Sequence, residues 1–432
     1  MTDDAACREE SEEALIEGDT RFAPGTARSA LAHRAFRTLF LGAWASNIGS
    51  WMQQVVLAAY AYDLTGSSTF VGQLVFAQLG PVLFLGMIGG VVADLVDRKK
   101  LLLAVTLLQM AAAVALAAVV AADDPGRGLM FLTALVSGVG FSLFMPAYSA
   151  MLPGLVGKDD LPGAIALNST QMNASRVVGP AIGGIAFATV GPAWVFLANA
   201  ASYTFVIVAL LRVHLPTVAK GAPETIARKI TGGIRAARRD RVVGRALVTI
   251  TVFSFFSIVY VGMMPVLAAG NLGIDEDSAA YGIFYACFGL GAVVGSIANG
   301  TVLSGVAKTV LVRRGLVAYA ATVSLLAVLR SAAPAYLVVM LVGATYFGMV
   351  TALNTAMQSR LVDHERGRVM ALWMMGFGGT VSLANLAFGP VVDEIGMTPV
   401  MLAGAVVALV LAWYADLEPA DSESIPTPAL AD

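Results

Sequence analysis

Twelve apolar stretches follow one another along this 432-residue chain, and they constrain it more than any other feature. They fall near 36–62, 69–93, 101–122, 128–152, 163–190, 192–213, 245–269, 278–304, 309–329, 334–357, 367–392 and 396–415. Most are near the roughly 20 residues that cross a bilayer as helix. In hydrocarbon every backbone N–H and C=O must be satisfied inside the protein, so segments of this length are expected to be helical. Only 13% of residues are charged and 58% are hydrophobic, whereas soluble domains carry roughly 25% charged residues. The expected class is therefore all-α integral membrane, with twelve transmembrane helices. Glycine and proline interrupt several spans, which neighbouring helices in a membrane tolerate.

An even number of spans puts both ends on one side, and the basic residues choose it. With the N-terminus cytoplasmic, only Arg127, Arg176 and Arg330 of the 27 Lys and Arg residues fall elsewhere. The positive-inside rule favours that orientation. The N-terminus is acidic, polar and then basic, with no apolar core of signal-peptide type, and 1–33 is expected to be a flexible cytoplasmic tail. Residues 214–244 form the longest cytoplasmic connection, with basic residues expected against anionic headgroups. They separate a six-helix bundle at 34–213 from another at 245–415, and 416–432 follows as a second tail. Cys7 and Cys287 are too far apart in sequence and setting to suggest a disulfide framework or metal site, and no cofactor is expected.

The halves echo each other. "SAMLPGLVGKDD" (149–160) ends span 4 and "TAMQSRLVDHER" (355–366) ends span 10, and each precedes a span with a Gly-Pro pair, Gly179-Pro180 and Gly389-Pro390. Parallel repeats are one route to alternating-access transporters, whose substrate sits between the halves near mid-membrane.

Between spans 2 and 3, "GGVVADLVDRKK" (89–100) places two aspartates and three basic residues in a short loop. Its spacing, Gly90-x3-Asp94-x2-Asp97-Arg98-Lys99-Lys100, resembles the loop motif of the major facilitator superfamily, with Asp97 where the commoner pattern has Gly. Asp94, at a helix end, can accept hydrogen bonds from Arg98 and can face the positive N-terminus of another helix. The resemblance implies that this helix is span 11, preceded by Arg366-Gly367-Arg368. It implies a conformational latch made of Gly90, Asp94, Arg98, Arg366 and Arg368. Stretches 46–68, 152–184 and 365–373 are similar to the exporter branch of the superfamily, which includes macrolide efflux proteins and siderophore exporters. Within them Gly179-Pro180-Ala181-Ile182-Gly183-Gly184 resembles the helix-5 motif associated with antiporters. Pro180 loosens its helix, and the glycines permit close packing; the bland reading is packing alone.

Polar groups inside a membrane are functional candidates by default. Span 1 carries Asn47, Trp51 and Gln54 on one helical face, and span 5 carries Asn168, Met172 and Arg176 in line with Gly179 and Gly183. Span 7 offers Ser257, Tyr260 and Met264, and span 11 Met374, Gly378 and Asn385. Amides, thioethers and aromatics suit a bulky amphiphile, although any one amide can be helix–helix glue. Arg176 is the only basic residue inside a span, where a charge costs at least about 2.5–3.5 kcal/mol. Its expected partners are carbonyls, amides such as Gln171 or Asn173, water, or an anionic substrate. No acidic residue lies mid-membrane, so the proton antiport that the resemblance implies leaves only Asp63 and Asp94 as carriers.

These observations point to a secondary active exporter of a small organic molecule. Its partners are a small-molecule substrate and membrane lipid, with no nucleic acid, and a monomer is expected. An importer or facilitator of the same fold is the alternative. An enzyme would want clustered His, Asp or Cys near the spans, and a sensor would want a soluble signalling domain; the sequence shows neither.

Overall fold

The computed structural model describes residues 23–213 and 226–417, without the side chains of 86–95, 226–230 and 363–364. The expected tails at 1–22 and 418–432 and the linker stretch 214–225 lie outside the described residues. All regular structure among the described residues is helical. A short α1 (Ala27–Ala32) leads into α2 (Arg34–Thr65), α3 (Ser68–Leu95), α4 (Arg98–Val120), α5 (Arg127–Ser149), α6 (Leu152–Val190) and α7 (Pro192–Arg212). The linker contributes α8 (Ile226–Arg239). Then come α9 (Arg241–Phe256), α10 (Val259–Gly262), α11 (Met264–Leu272), α12 (Ala279–Gly300), α13 (Lys308–Val328) and α14 (Ala332–Gln358). The chain closes with α15 (Asp363–Met374), a π-helical segment (Met375–Gly379), α16 (Thr380–Ile395) and α17 (Met397–Tyr414).

Nine helical segments among the described residues are long and apolar enough to cross a membrane, against the twelve expected. The other three expected spans are α2, α6 and the run α9–α11. Polar residues such as Asn47, Gln53, Gln54, Asn173 and Arg176 dilute the first two. The third is broken twice, at Ser257–Ile258 and at Met263. Each break is accounted for locally. The Ser257 hydroxyl donates to the Gly404 carbonyl at 2.8 Å, and the Tyr319 hydroxyl donates to the Ser257 carbonyl, so the freed groups find partners in α17 and α13. Pro265 then starts α11, where its missing N–H costs nothing. Helix α6 is also interrupted, at Gly157 with φ +72°, a conformation suited to glycine.

Before residue 213, α2 packs against α6 and α7, α3 against α5, and α4 against α5 and α7. After residue 241, α14 packs against α12 and α13, and α13 against α17. The two groups meet along two seams, α3 against α16 with the π segment, and α6 against α12. The end where α2 passes to α3 and α16 to α17 is called distal below, and the end bearing α8 proximal.

One expectation about the ends of the spans needs correction. Residues 26–33 are not free tail. Thr26 caps α1, Gly25 N–H donates to Asp160 Oδ1 at 2.9 Å, and His33 Nε2 lies 2.8 Å from Asp160 Oδ2, with both residues buried. Burial pushes the Asp160 carboxyl up, but bonds from His33, the Gly25 amide and Ser29 outweigh it and hold the group below the usual range. Its support is therefore complete above the ordinary carboxylate pKa and lost only as pH falls through the lowered value. Asp160→Asn is expected to cost about 1–3 kcal/mol, as for a buried group left short of a partner. A lower melting temperature with faster amide exchange at 26–33 would show it. Within the expected linker, α8 occupies 226–239, and α9 begins at 241. Gly232 and Gly233 lie against Arg368 and Leu372 of α15, so the linker helix docks on the start of span 11.

Asp97, the departure from the loop pattern, is the N-cap of α4 and accepts from the Lys100 N–H at 3.1 Å. Arg98 donates to the Ala150 carbonyl at 2.9 Å and Lys99 to the Val213 carbonyl at 2.8 Å, so both cations meet helix C-terminal ends. The side chains of Gly90 and Asp94 lie outside the described ones.

Candidate functional site

Arg176 projects from the middle of α6 where the two groups of helices meet. Its guanidinium carbon lies 5.0 Å from the ring centroid of Trp51 on α2 and 4.6 Å from that of Phe347 on α14. Each such contact contributes about 0.5–2 kcal/mol, more where water is thin. Arg176, Trp51 and Phe347 are all half-buried, so the sandwich borders open space. The phenols of Tyr285 and Tyr346 are within electrostatic reach. Of the amides expected to hold Arg176, Gln171 donates to Asn168 at 2.7 Å and Asn173 to the Ser169 carbonyl at 3.0 Å. Among the described residues, aromatic faces and not carboxylates compensate the charge.

The span-5 motif explains how α6 carries this arginine so close to its neighbours. A Cβ on Gly179 would stand 2.5 Å from that of Trp51, and one on Gly183 3.1 Å from the Met52 Cα, so both glycines seat α6 on α2. Gly184 faces the other way. Its Cβ would stand 2.4 Å from the Gly282 Cα, and one on Gly282 2.8 Å from the Pro180 carbonyl oxygen. One helical stripe further, a Cβ on Gly289 would be 2.8 Å from the Arg176 carbonyl. The α6–α12 seam is thus backbone against backbone from mid-height to the distal end. The α3–α16 seam is equally tight, because a Cβ on Gly72 would lie 2.3 Å from the Asn385 carbonyl oxygen.

The remaining candidates divide. Asn47, Gln54, Asn168 and Met172 are half-buried, as is Arg176. Gln53, between the polar positions of α2, is glue: it accepts from Asn199 at 2.8 Å inside the helix pair. Tyr260, Met264 and Asn385 are buried in packed interior in this conformation, and the Asn385 side chain fills the space beside Gly262. Met374 is exposed. Sequence reasoning missed Phe347, Gly282 and Gly289. The two glycines lie seven residues apart, a spacing that marks one helix face, whereas nothing local distinguishes Phe347 from other span aromatics.

Residues 25–426 match the model of the transmembrane secretion effector family. Enterobactin exporter EntS of Salmonella typhi is 27% identical over 348 residues, 79% of this chain and 81% of that protein. EntS of Escherichia coli O1:K1 is 26% identical over 347 residues, with the same coverage. Among solved structures, the nucleoside transporter NupG has a TM-score of 0.69 at 14% identity, covering 88% of this chain and 98% of that one. A POT family transporter in complex with 5-aminolevulinic acid reaches 0.71 at 12% identity, covering 90% and 96%. At such identities the structural matches speak to fold alone. The chain is a multi-pass membrane transporter that belongs to the transmembrane secretion effector family of the major facilitator superfamily.

Proposed function

We propose that the protein exports a small amphiphilic molecule bearing an acidic or electron-rich aromatic group, by alternating access between two six-helix bundles, with both termini cytoplasmic. The observation that carries this reading is the Arg176 sandwich. A guanidinium held by ring faces keeps its five N–H donors for a ligand, and the rings offer stacking surface for an aromatic one. The similarity to exporters of enterobactin supports the outward direction. Asn47, Gln54, Asn168 and Met172 would line the rest of the cavity. The test is binding of matched compounds, an aromatic carboxylate against its methyl ester. A charge-assisted bond is worth about 1.5–3 kcal/mol, so the acid should bind at least tenfold more tightly. Equal binding of the two would remove Arg176 from the site.

Under this orientation the distal end is the outer one, and it is shut in this conformation. Asp63 lies there at the end of α2. Partial burial and then Asp277 push its carboxyl up, and Glu276 is raised by burial and then by Asp63, Asp277 and Asp275. Tyr60 neighbours Asp63, and Tyr62 lies near Glu276 and Asp393. A carboxyl raised in the closed state binds a proton more readily there than when the ends part. Acid therefore favours distal closure, and the preference fades as pH rises through the raised values. Protons on the outer side would thus favour the return to the inward-open form. The closed population is expected to grow as pH falls through the raised carboxyl values, and Asp63→Asn to flatten that dependence, as read by spin-label distances across the distal end. A wild-type distribution that ignores pH would remove Asp63 from the coupling.

A further inference from the structure

The first turn of α3 has an arrangement that its own sequence does not supply. Helices leave their first N–H groups unpaired, and a side chain just before the helix usually accepts from one or two of them. Here Ser67 serves Phe70, accepting from its N–H at 3.3 Å. The amides of Ser68 and Thr69 instead donate across the seam to Asp393, at 2.6 Å to Oδ1 and 3.0 Å to Oδ2. The Thr69 and Ser67 hydroxyls donate to the same carboxylate at 2.6 and 3.1 Å. One carboxylate of α16, more than 320 residues away in sequence, thus accepts four hydrogen bonds from the N-terminus of α3.

Two further features make this contact conditional on closure. Gly389, one turn before Asp393, faces the same spot, and a Cβ there would stand 2.8 Å from the Thr69 Cα. The approach that brings the carboxylate to its donors therefore depends on bare backbone. The contact also joins the two groups of helices, so any motion that parts α3 from α16 at this end breaks all four bonds together. Water can satisfy the amides once they part, which makes the contact reversible.

We propose that Asp393 is the distal gate residue of the transport cycle, an N-cap for α3 supplied by the opposite half and present only while the distal end is shut. The spacing Gly389-x3-Asp393 at the end of span 11 repeats Gly90-x3-Asp94 at the end of span 2. These two spans face each other along one seam, and each carries a glycine and an aspartate one turn apart at its C-terminal end.

The test places spin labels at Val190→Cys and Val328→Cys, exposed distal positions in different halves, in full-length protein with Cys7 and Cys287 replaced by Ser, in lipid nanodiscs at pH 7.5. An asparagine keeps one acceptor oxygen and loses the charge. Losing a cap of ordinary strength moves an equilibrium about fivefold, so Asp393→Asn should raise the ratio of open to closed distal distances by about that factor. Thr69→Val deletes one of the four donors and should shift the ratio the same way by less. Glu394→Gln, a charge loss on the neighbouring residue, should leave it unchanged. A distribution in Asp393→Asn that matches wild type overturns the proposal, including when its melting temperature falls, because Asp393 would then be a static tie. An equal shift in Glu394→Gln overturns it too, since net charge would be the cause.

Discussion

Transport should fall at least tenfold when Gly282 is replaced by Val, with the protein still inserted and folded. The side chain would enter a contact in which even a Cβ stands 2.7 Å from the Gly184 Cα and 2.8 Å from the Pro180 carbonyl oxygen. Overpacking a well-packed interior costs about 1–3 kcal/mol, and here the obstacles are backbone atoms that no rotamer change can clear. The strain is relieved if α6 and α12 separate, so the variant should accumulate with its distal end open. Each half can pack internally as before, which is why folding should survive. Gly282→Ala should act in the same direction more weakly. Gly300→Ala, on the same helix with nothing within 4 Å of the added carbon, is the control and should transport normally. Transport rates in proteoliposomes, with distal spin-label distances, check all three. Normal rates in Gly282→Val would mean that the α6–α12 contact does not close during the cycle.

Arg176→Ala should abolish transport, and Arg176→Lys should weaken binding tenfold or more while folding normally. Lysine keeps the charge but not the flat guanidinium that fits between the Trp51 and Phe347 rings and presents several donors in one plane. The alanine variant removes a cation from the membrane interior, so its stability need not fall, and a rise is compatible with the cost of placing charge there. Substrate affinity and melting temperature must be measured on the same samples. If affinity holds while the melting temperature collapses, the arginine supports the kinked helix and does not meet substrate.

Much of this was legible in the residues, and what was not has identifiable causes. Span positions followed from hydropathy because lipid leaves the backbone almost no alternative to helix. The segments that depart are α2 and α6, which carry polar residues among the apolar ones, and α9–α11, which is broken into short helices. The break near Ser257 depends on Tyr319 and Gly404, which are distant in sequence, so no window around 257 could announce it. The π segment at Met375–Gly379 was equally hidden, since its glycines could have continued an α-helix. Arg176 was conspicuous as the one embedded cation, but its aromatic partners come from α2 and α14 and appear only when the halves meet. The span-5 glycines could be read as packing residues, yet Gly184 gave no hint that it faces the other half. The docking of 26–33 was missed because it rests on contacts of Gly25 and His33 with Asp160, more than 120 residues away in sequence.

Outward movement of an acidic aromatic amphiphile is read by transport into inside-out membrane vesicles. Vesicles with wild-type protein should accumulate an anionic, aromatic siderophore or a comparable aromatic acid when their lumen is acidified. Accumulation should fall when the pH gradient is collapsed and vanish in vesicles bearing Arg176→Ala. Accumulation of the same compounds by right-side-out vesicles, with none in inside-out ones, would rule out export and make the protein an importer.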